Sequence, residues 1–101
     1  MNHRVRLSQR ARRDIEEAYL YIRRDAPLRA TQWRSKLRQA VRSLKVFPKR
    51  HAVLFDEATA GRTIRQMTFG TYLVLYSVDD QVVNVLTIRH SARRPMEPGE
   101  L

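Results

Sequence analysis

The chain has 101 residues, about one globular core's worth, and 43% of them are hydrophobic, too many for a disordered segment. No apolar run approaches the roughly 18 residues that span a bilayer, and the basic N-terminus lacks the apolar core of an export signal. Lys and Arg number 20 against 10 acids, a formal charge of +10, and the absence of cysteine excludes disulfides, thiolate zinc sites and a cysteine nucleophile.

The charge is uneven: residues 1–50 hold 15 basic and 4 acidic side chains, residues 51–101 hold 5 and 6. Seventeen of the cations are arginine, whose planar fork suits bidentate contact with phosphate or carboxylate. An anionic partner is expected, either nucleic acid or an acidic protein; the bland alternative is a solvated basic surface. The missing cysteines fit a reducing cytoplasm. No carboxylate–histidine spacing suits a metal, so neither metal nor cofactor is expected.

In chain order, Arg4-Val5-Arg6-Leu7 alternates as a short strand. Ser8 offers an N-cap, and Ala11, Ile15, Ala18, Tyr19 and Ile22 recur at helical spacing, so an amphipathic helix runs to about residue 24. Pro27 ends it and suits the first turn of a second helix, expected over residues 27–47 and stopped by Pro48. On that helix Ala30, Trp33, Leu37, Ala40, Val41 and Leu44 form an apolar stripe, and Arg34, Arg38, Arg42 and Lys45 form a basic one. The two helices read as an antiparallel hairpin needing a further layer for its core.

Residues 48–61 read as a long connection, a length that often marks a functional loop. Then Thr63–Phe69 and Tyr72–Val78 are β-rich runs joined by Gly70-Thr71, a two-residue loop suited to a type II′ hairpin. Asp79-Asp80-Gln81 turns the chain into a last strand over residues 82–89, and the tail from 91 to 101 looks irregular. The fold class is α+β: an N-terminal strand, an α-helical hairpin, then a three-stranded antiparallel meander that the first strand joins, all within one domain over 1–101. Strict alternation in the last strand places Val82, Asn84, Leu86, Ile88 and His90 on the helix side. It leaves Val83, Val85, Thr87 and Arg89 on an open face.

This order resembles the RelE/ParE superfamily of type II toxins. Residues 7–17, LSQRARRDIEE, are similar to the family's opening "LSxxAxxDLEE", and Tyr19-Leu20-Tyr21-Ile22 to its first-helix ending. Residues 38–44 with Phe47-Pro48 resemble its second helix. Ile64-Arg65 followed by Gly70-Thr71-Tyr72-Leu73-Val74-Leu75-Tyr76, and Val85–His90 with Arg93-Arg94, resemble its strand pair and closing segment. The likeness spans about nine-tenths of the chain. It implies a cytoplasmic toxin of a toxin–antitoxin or plasmid-stabilisation system, neutralised by a cognate antitoxin with an acidic or amphipathic segment.

The superfamily has one branch that inhibits DNA gyrase and one that cleaves messenger RNA on the ribosome. In the ribosome-dependent branch, an arginine commonly follows the Gly-Tyr of the middle strand and a tyrosine lies near the C-terminus. Here Leu73 follows Tyr72, and no tyrosine occurs after Tyr76. The resemblance therefore favours the gyrase-directed, ParE-like branch. Its target-binding candidates are Arg62, Arg65, Arg89, Arg93 and Arg94. Trp33, Arg34, Leu37, Arg38 and Arg42 are the antitoxin-binding candidates, with core packing of Trp33 and Leu37 and a solvated basic stripe as the competing reading. The alternative RelE-like endonuclease would use Arg65, Arg89 and His90, although His90 also reads as a structural histidine. A non-toxic basic nucleic-acid-binding domain is the third reading.

Overall fold

A computed structural model describes residues 2–101. Its elements follow as β1 (Arg4–Leu7), α1 (Gln9–Arg23), α2 (Pro27–Arg42), β2 (Ala52–Phe55), α3 (Glu57–Ala60), β3 (Ile64–Phe69), β4 (Tyr72–Asp79) and β5 (Val82–His90). Short 3-10 turns occupy Ser43–Lys45, Pro48–Arg50 and Pro98–Glu100. The strands make one five-stranded sheet in the order β1-β5-β4-β3-β2, with β1 parallel to β5 and the other pairs antiparallel. The α+β architecture expected from the sequence is present, with β1 on one edge beside β5.

Local chemistry sets the helix starts. The Ser8 side chain accepts from the Ala11 amide at 2.9 Å and donates to the Leu86 carbonyl at 2.7 Å, so one hydroxyl caps α1 and pins it to the sheet. Pro27 opens α2, where its missing N–H costs nothing. The second helix is regular only to Arg42 and then tightens into a 3-10 turn, earlier than the residue 47 end expected. Phe47 follows in the left-handed region at φ 48°, a conformation costing a side-chain-bearing residue about 1–2 kcal/mol. The Arg50 guanidinium holds that corner by donating to the carbonyls of Val46 and Phe47.

The stretch 48–61, read as a loop, contains β2 and α3. Ala52–Phe55 pairs with β3, and Asp56 caps α3 by accepting from the Thr59 amide at 2.8 Å. Both elements are four residues long, below the length at which periodicity is readable. The β3–β4 turn is as expected: Gly70 takes φ 58° and Thr71 keeps a negative φ, the II′ requirement.

The sheet has two apolar faces. Leu37, Val41 and Leu44 of α2 and Ala11 of α1 cover one, meeting Met67, Val74, Tyr76, Val83, Val85 and Ile88. The other face carries Ile64, Leu75, Leu73 and Leu86, covered by Met96 and Leu101 of the tail and by Phe55 and Ala60.

Two expectations about β5 are corrected here. Val83 and Val85 point to the helices and Leu86 away from them, the reverse of the strict alternation. The reason is a β-bulge: Tyr76 pairs with Val85 and Leu75 with Thr87, so Leu86 is an extra residue that shifts the phase. Beyond the bulge Ile88 and His90 do face the helices, and Arg89 faces away, opposite Leu73. The second correction concerns that far face, which the tail and α3 cover.

Where β1 ends, α1 takes over the edge of β5. The Asp14 carboxylate accepts from Thr87 Oγ1 at 2.5 Å and from the Ile88 amide at 3.0 Å. Replacing it leaves two partly buried donors unpaired, so Asp14→Ala is expected to lower unfolding free energy by about 2 kcal/mol, and Asp14→Asn by less. Urea unfolding of the two variants checks this; equal and negligible losses would show that water replaces the carboxylate.

Candidate functional site

The arginines proposed as a shared target surface fall into separate environments. Arg65 on β3 pairs with Tyr76 and therefore lies on the helix side of the sheet, beyond the end of α2. Its guanidinium donates to the carbonyls of Lys49 and His51 at 2.9 and 2.8 Å. Next to it the Tyr76 hydroxyl donates to the Pro48 carbonyl at 2.5 Å, and the His51 ring meets Tyr76 edge-on at 6.3 Å. Burial, then the Arg50 charge, hold the His51 pKa below the usual imidazole range. Arg65 is thus a clamp on the segment entering β2. It also borders a hollow of about 340 Å³ with Lys49, Glu57, exposed Arg62 and Asp79.

Arg89 sits on the opposite face, so the two arginines do not share a surface as the sequence reading required. Its side chain is 9% exposed beneath the tail, and it donates to the Arg94 carbonyl at 2.7 Å. The Glu100 carboxylate lies 4.0 Å from Arg89 and 2.7 Å from Arg94, and Arg10 of α1 donates to the Glu100 carbonyl at 2.6 Å. Burial and then the Arg93 charge lower the Arg89 pKa, while the Arg94 hydrogen bond and charge hold Glu100 below the usual carboxylate range. Arg93 is exposed and lines a cleft with Glu17, Tyr21 and His90 that Arg89 also borders.

His90, on the helix side, ends a row of rings. Phe69 and Trp33 lie 6.5 Å apart, Trp33 and Tyr72 5.1 Å, and Tyr72 and His90 5.1 Å. Nδ1 of His90 accepts from the Ala92 amide at 3.0 Å, fixing the ring. Arg65 pairs with Tyr76 and His90 with Tyr72, four residues apart on β4, or about 13 Å of strand. Arg89 and His90 border one cleft and Arg65 another, so the set of three does not converge on one phosphate.

On α2, Leu37 is 1% exposed and belongs to the core, which removes it from the surface set. Trp33 is half-buried in the aromatic row. Arg34 stacks 3.7 Å from the Tyr19 ring centre and lies 3.6 Å from Glu16, pairing the two helices. Arg38 and Arg42 are exposed, one turn apart, and form a solvent-facing basic edge.

Two site features escaped the sequence reading. Glu100 meets Arg89 across a tail with no regular pattern, and Tyr76 was read only as part of a strand. The signal available was the chemistry of an acid and an aliphatic, Glu100-Leu101, after an arginine pair. Among the described residues, no group of three side chains is placed to hold a metal ion, and no helix is long and apolar enough to cross a membrane.

Comparison with known proteins places this geometry. No curated protein matches the chain in sequence. The structure is similar to one titled "Chromosomal ParDE TA system from P. aeruginosa", with TM-score 0.73 at 15% identity, covering 87% of this chain and 95% of that one. It is also similar to the toxin–antitoxin complex RelBE2 from Mycobacterium tuberculosis, with TM-score 0.62 at 25% identity, covering 92% and 95%. A family model described as the ParE toxin of the type II toxin–antitoxin system parDE matches residues 5–95. The chain belongs to the ParE toxin family of type II toxin–antitoxin systems.

Proposed function

We propose that this ParE-family toxin acts in the cytoplasm by binding and inhibiting DNA gyrase, and that a cognate antitoxin with an acidic or amphipathic segment neutralises it. The observation that carries the choice of target is Leu73. At the position where the ribosome-dependent branch commonly places an arginine, this chain has an aliphatic residue packed with Leu75 and Leu86 in the second apolar cluster. The separation of Arg65 from the cleft bordered by Arg89 and His90 points the same way, because metal-free RNA cleavage needs its base, cation and acid around one phosphate. Exposed Arg62, Arg93 and Arg94 supply cationic contacts to the target, and the edge of Arg38 and Arg42 faces the antitoxin.

Purified toxin is expected to block supercoiling by gyrase in vitro, with antitoxin restoring it. Normal supercoiling at saturating toxin, together with codon-specific messenger cleavage in a reconstituted translation reaction, would replace this reading by the endonuclease one.

A further inference from the structure

The C-terminal strap presents an anion to a cluster of cations. Arg89 is anchored on β5 with its side chain nine-tenths buried, Arg10 reaches in from α1, and Arg94 comes from the strap. Glu100 is the one acid ion-paired within this cluster. Its fit is incomplete: the carboxylate meets Arg94 at 2.7 Å yet stops 4.0 Å from Arg89, whose fork makes a single hydrogen bond, to the Arg94 carbonyl. Two guanidinium groups face one carboxylate, and Arg10 binds the backbone carbonyl of the same residue, so positive charge exceeds negative in the cluster. Among the described residues no Arg89 nitrogen is both sealed from water and unpaired, and Arg89 borders the cleft lined by Glu17 and His90, so its free donors stay open to a ligand with more oxygens and more charge. Phosphate has both, in a tetrahedral arrangement able to bridge two forks at once.

We propose that Arg10, Arg89 and Arg94 form a phosphate-binding site, suited to a phosphodiester or pyrophosphate group, which the strap keeps closed by lodging the Glu100 carboxylate in it. This goes beyond the toxin reading and stands or falls whatever the toxin's target is. The strap is held by Met96 and Leu101 on the apolar face, by the Arg89 and Arg10 hydrogen bonds to the Arg94 and Glu100 carbonyls, and by its own turn from the Glu100 amide to the Glu97 carbonyl and the Leu101 amide to the Pro98 carbonyl. Opening its last residues exposes the site at the cost of the Leu101 contact and the Arg10 hydrogen bond, while the freed guanidinium groups meet the ligand instead of Glu100.

The test is calorimetric titration of the full chain at fixed chloride with pyrophosphate, and in a second arm with a ten-nucleotide single-stranded DNA. Glu100→Gln removes the internal competitor and is expected to tighten pyrophosphate binding by about 5–10-fold, because the competent state is no longer diluted by the closed one. Glu97→Gln makes the same charge change away from the cluster and is expected to alter nothing. Adding Arg89→Gln to Glu100→Gln is expected to abolish the gain. A gain for both probes or for pyrophosphate supports the site; a gain for the oligonucleotide alone supports it with a nucleic-acid backbone as the source. Equal gains in Glu97→Gln, or a gain surviving Arg89→Gln, would overturn it as unspecific attraction. No gain for either probe in Glu100→Gln would overturn it, because the carboxylate would then not compete with phosphate. Hydrogen exchange on the wild-type chain gives an independent reading: saturating pyrophosphate should speed exchange of the Glu100 and Leu101 amides, and unchanged protection would overturn the closing role of the strap.

Discussion

Replacing Tyr76 by alanine is expected to lower unfolding free energy by about 4 kcal/mol, a large share of the 5–15 kcal/mol available to a domain of this size. The ring is fully buried in β4 between the helices and the segment 48–51, and its hydroxyl binds the Pro48 carbonyl. Tyr76→Phe keeps the ring and strands that carbonyl, so about 1–2 kcal/mol is expected. Arg65 fastens the same segment through two neighbouring carbonyls. The losses from Tyr76→Phe and Arg65→Met should therefore be non-additive, since each leaves the segment held by the other. Urea unfolding measures all three. A loss below about 2 kcal/mol for Tyr76→Ala would mean that the entry to β2 anchors itself elsewhere.

The second large effect concerns the antitoxin. Reversing both exposed charges on the outer edge of α2, Arg38→Glu with Arg42→Glu, is expected to slow association with the cognate antitoxin by about 10–100-fold at low salt, the difference shrinking as salt rises. Among the described residues neither side chain has a hydrogen-bond or ion-pair partner, so thermal stability should move by less than about 0.5 kcal/mol. Stopped-flow association with purified antitoxin separates the outcomes. Unchanged rates at low salt would place the antitoxin on another surface. Trp33 and Leu37 are unsuitable for this test because both contribute to the core.

The elements legible in the sequence were those whose signals are local and repeated. The helical hairpin was readable from its apolar stripes and from Ser8 and Pro27, and the β3–β4 turn from Gly70. The short β2 and α3 were missed, since four residues give neither a period of two nor one of 3.6 time to show. The faces of β5 were misassigned by one inserted residue, an event dictated by pairing with β4 and invisible along the strand itself. Arg65 and Arg89 were grouped as target-binding candidates of one open face, although which face each takes depends on the register of β3 and β5 against β4. Arg89 looked available because nothing in an irregular tail announces that Glu100 and Leu101 fold back. Side-chain type was readable; shared location was tertiary.

The bulge at Leu86 also sets how the sheet divides its chemistry. A strand with unbroken alternation would put Val83, Val85, Arg89 on one surface and Asn84, Leu86, His90 on the other. One additional residue lets aliphatics line the helical side early in the strand while a cation emerges beneath the strap near its end. Deleting Leu86 would remove the bulge and leave Arg89 and His90 on their present surfaces, whereas the same residues threaded without a bulge would exchange imidazole and guanidinium, so the bulge decides which partner meets which charge.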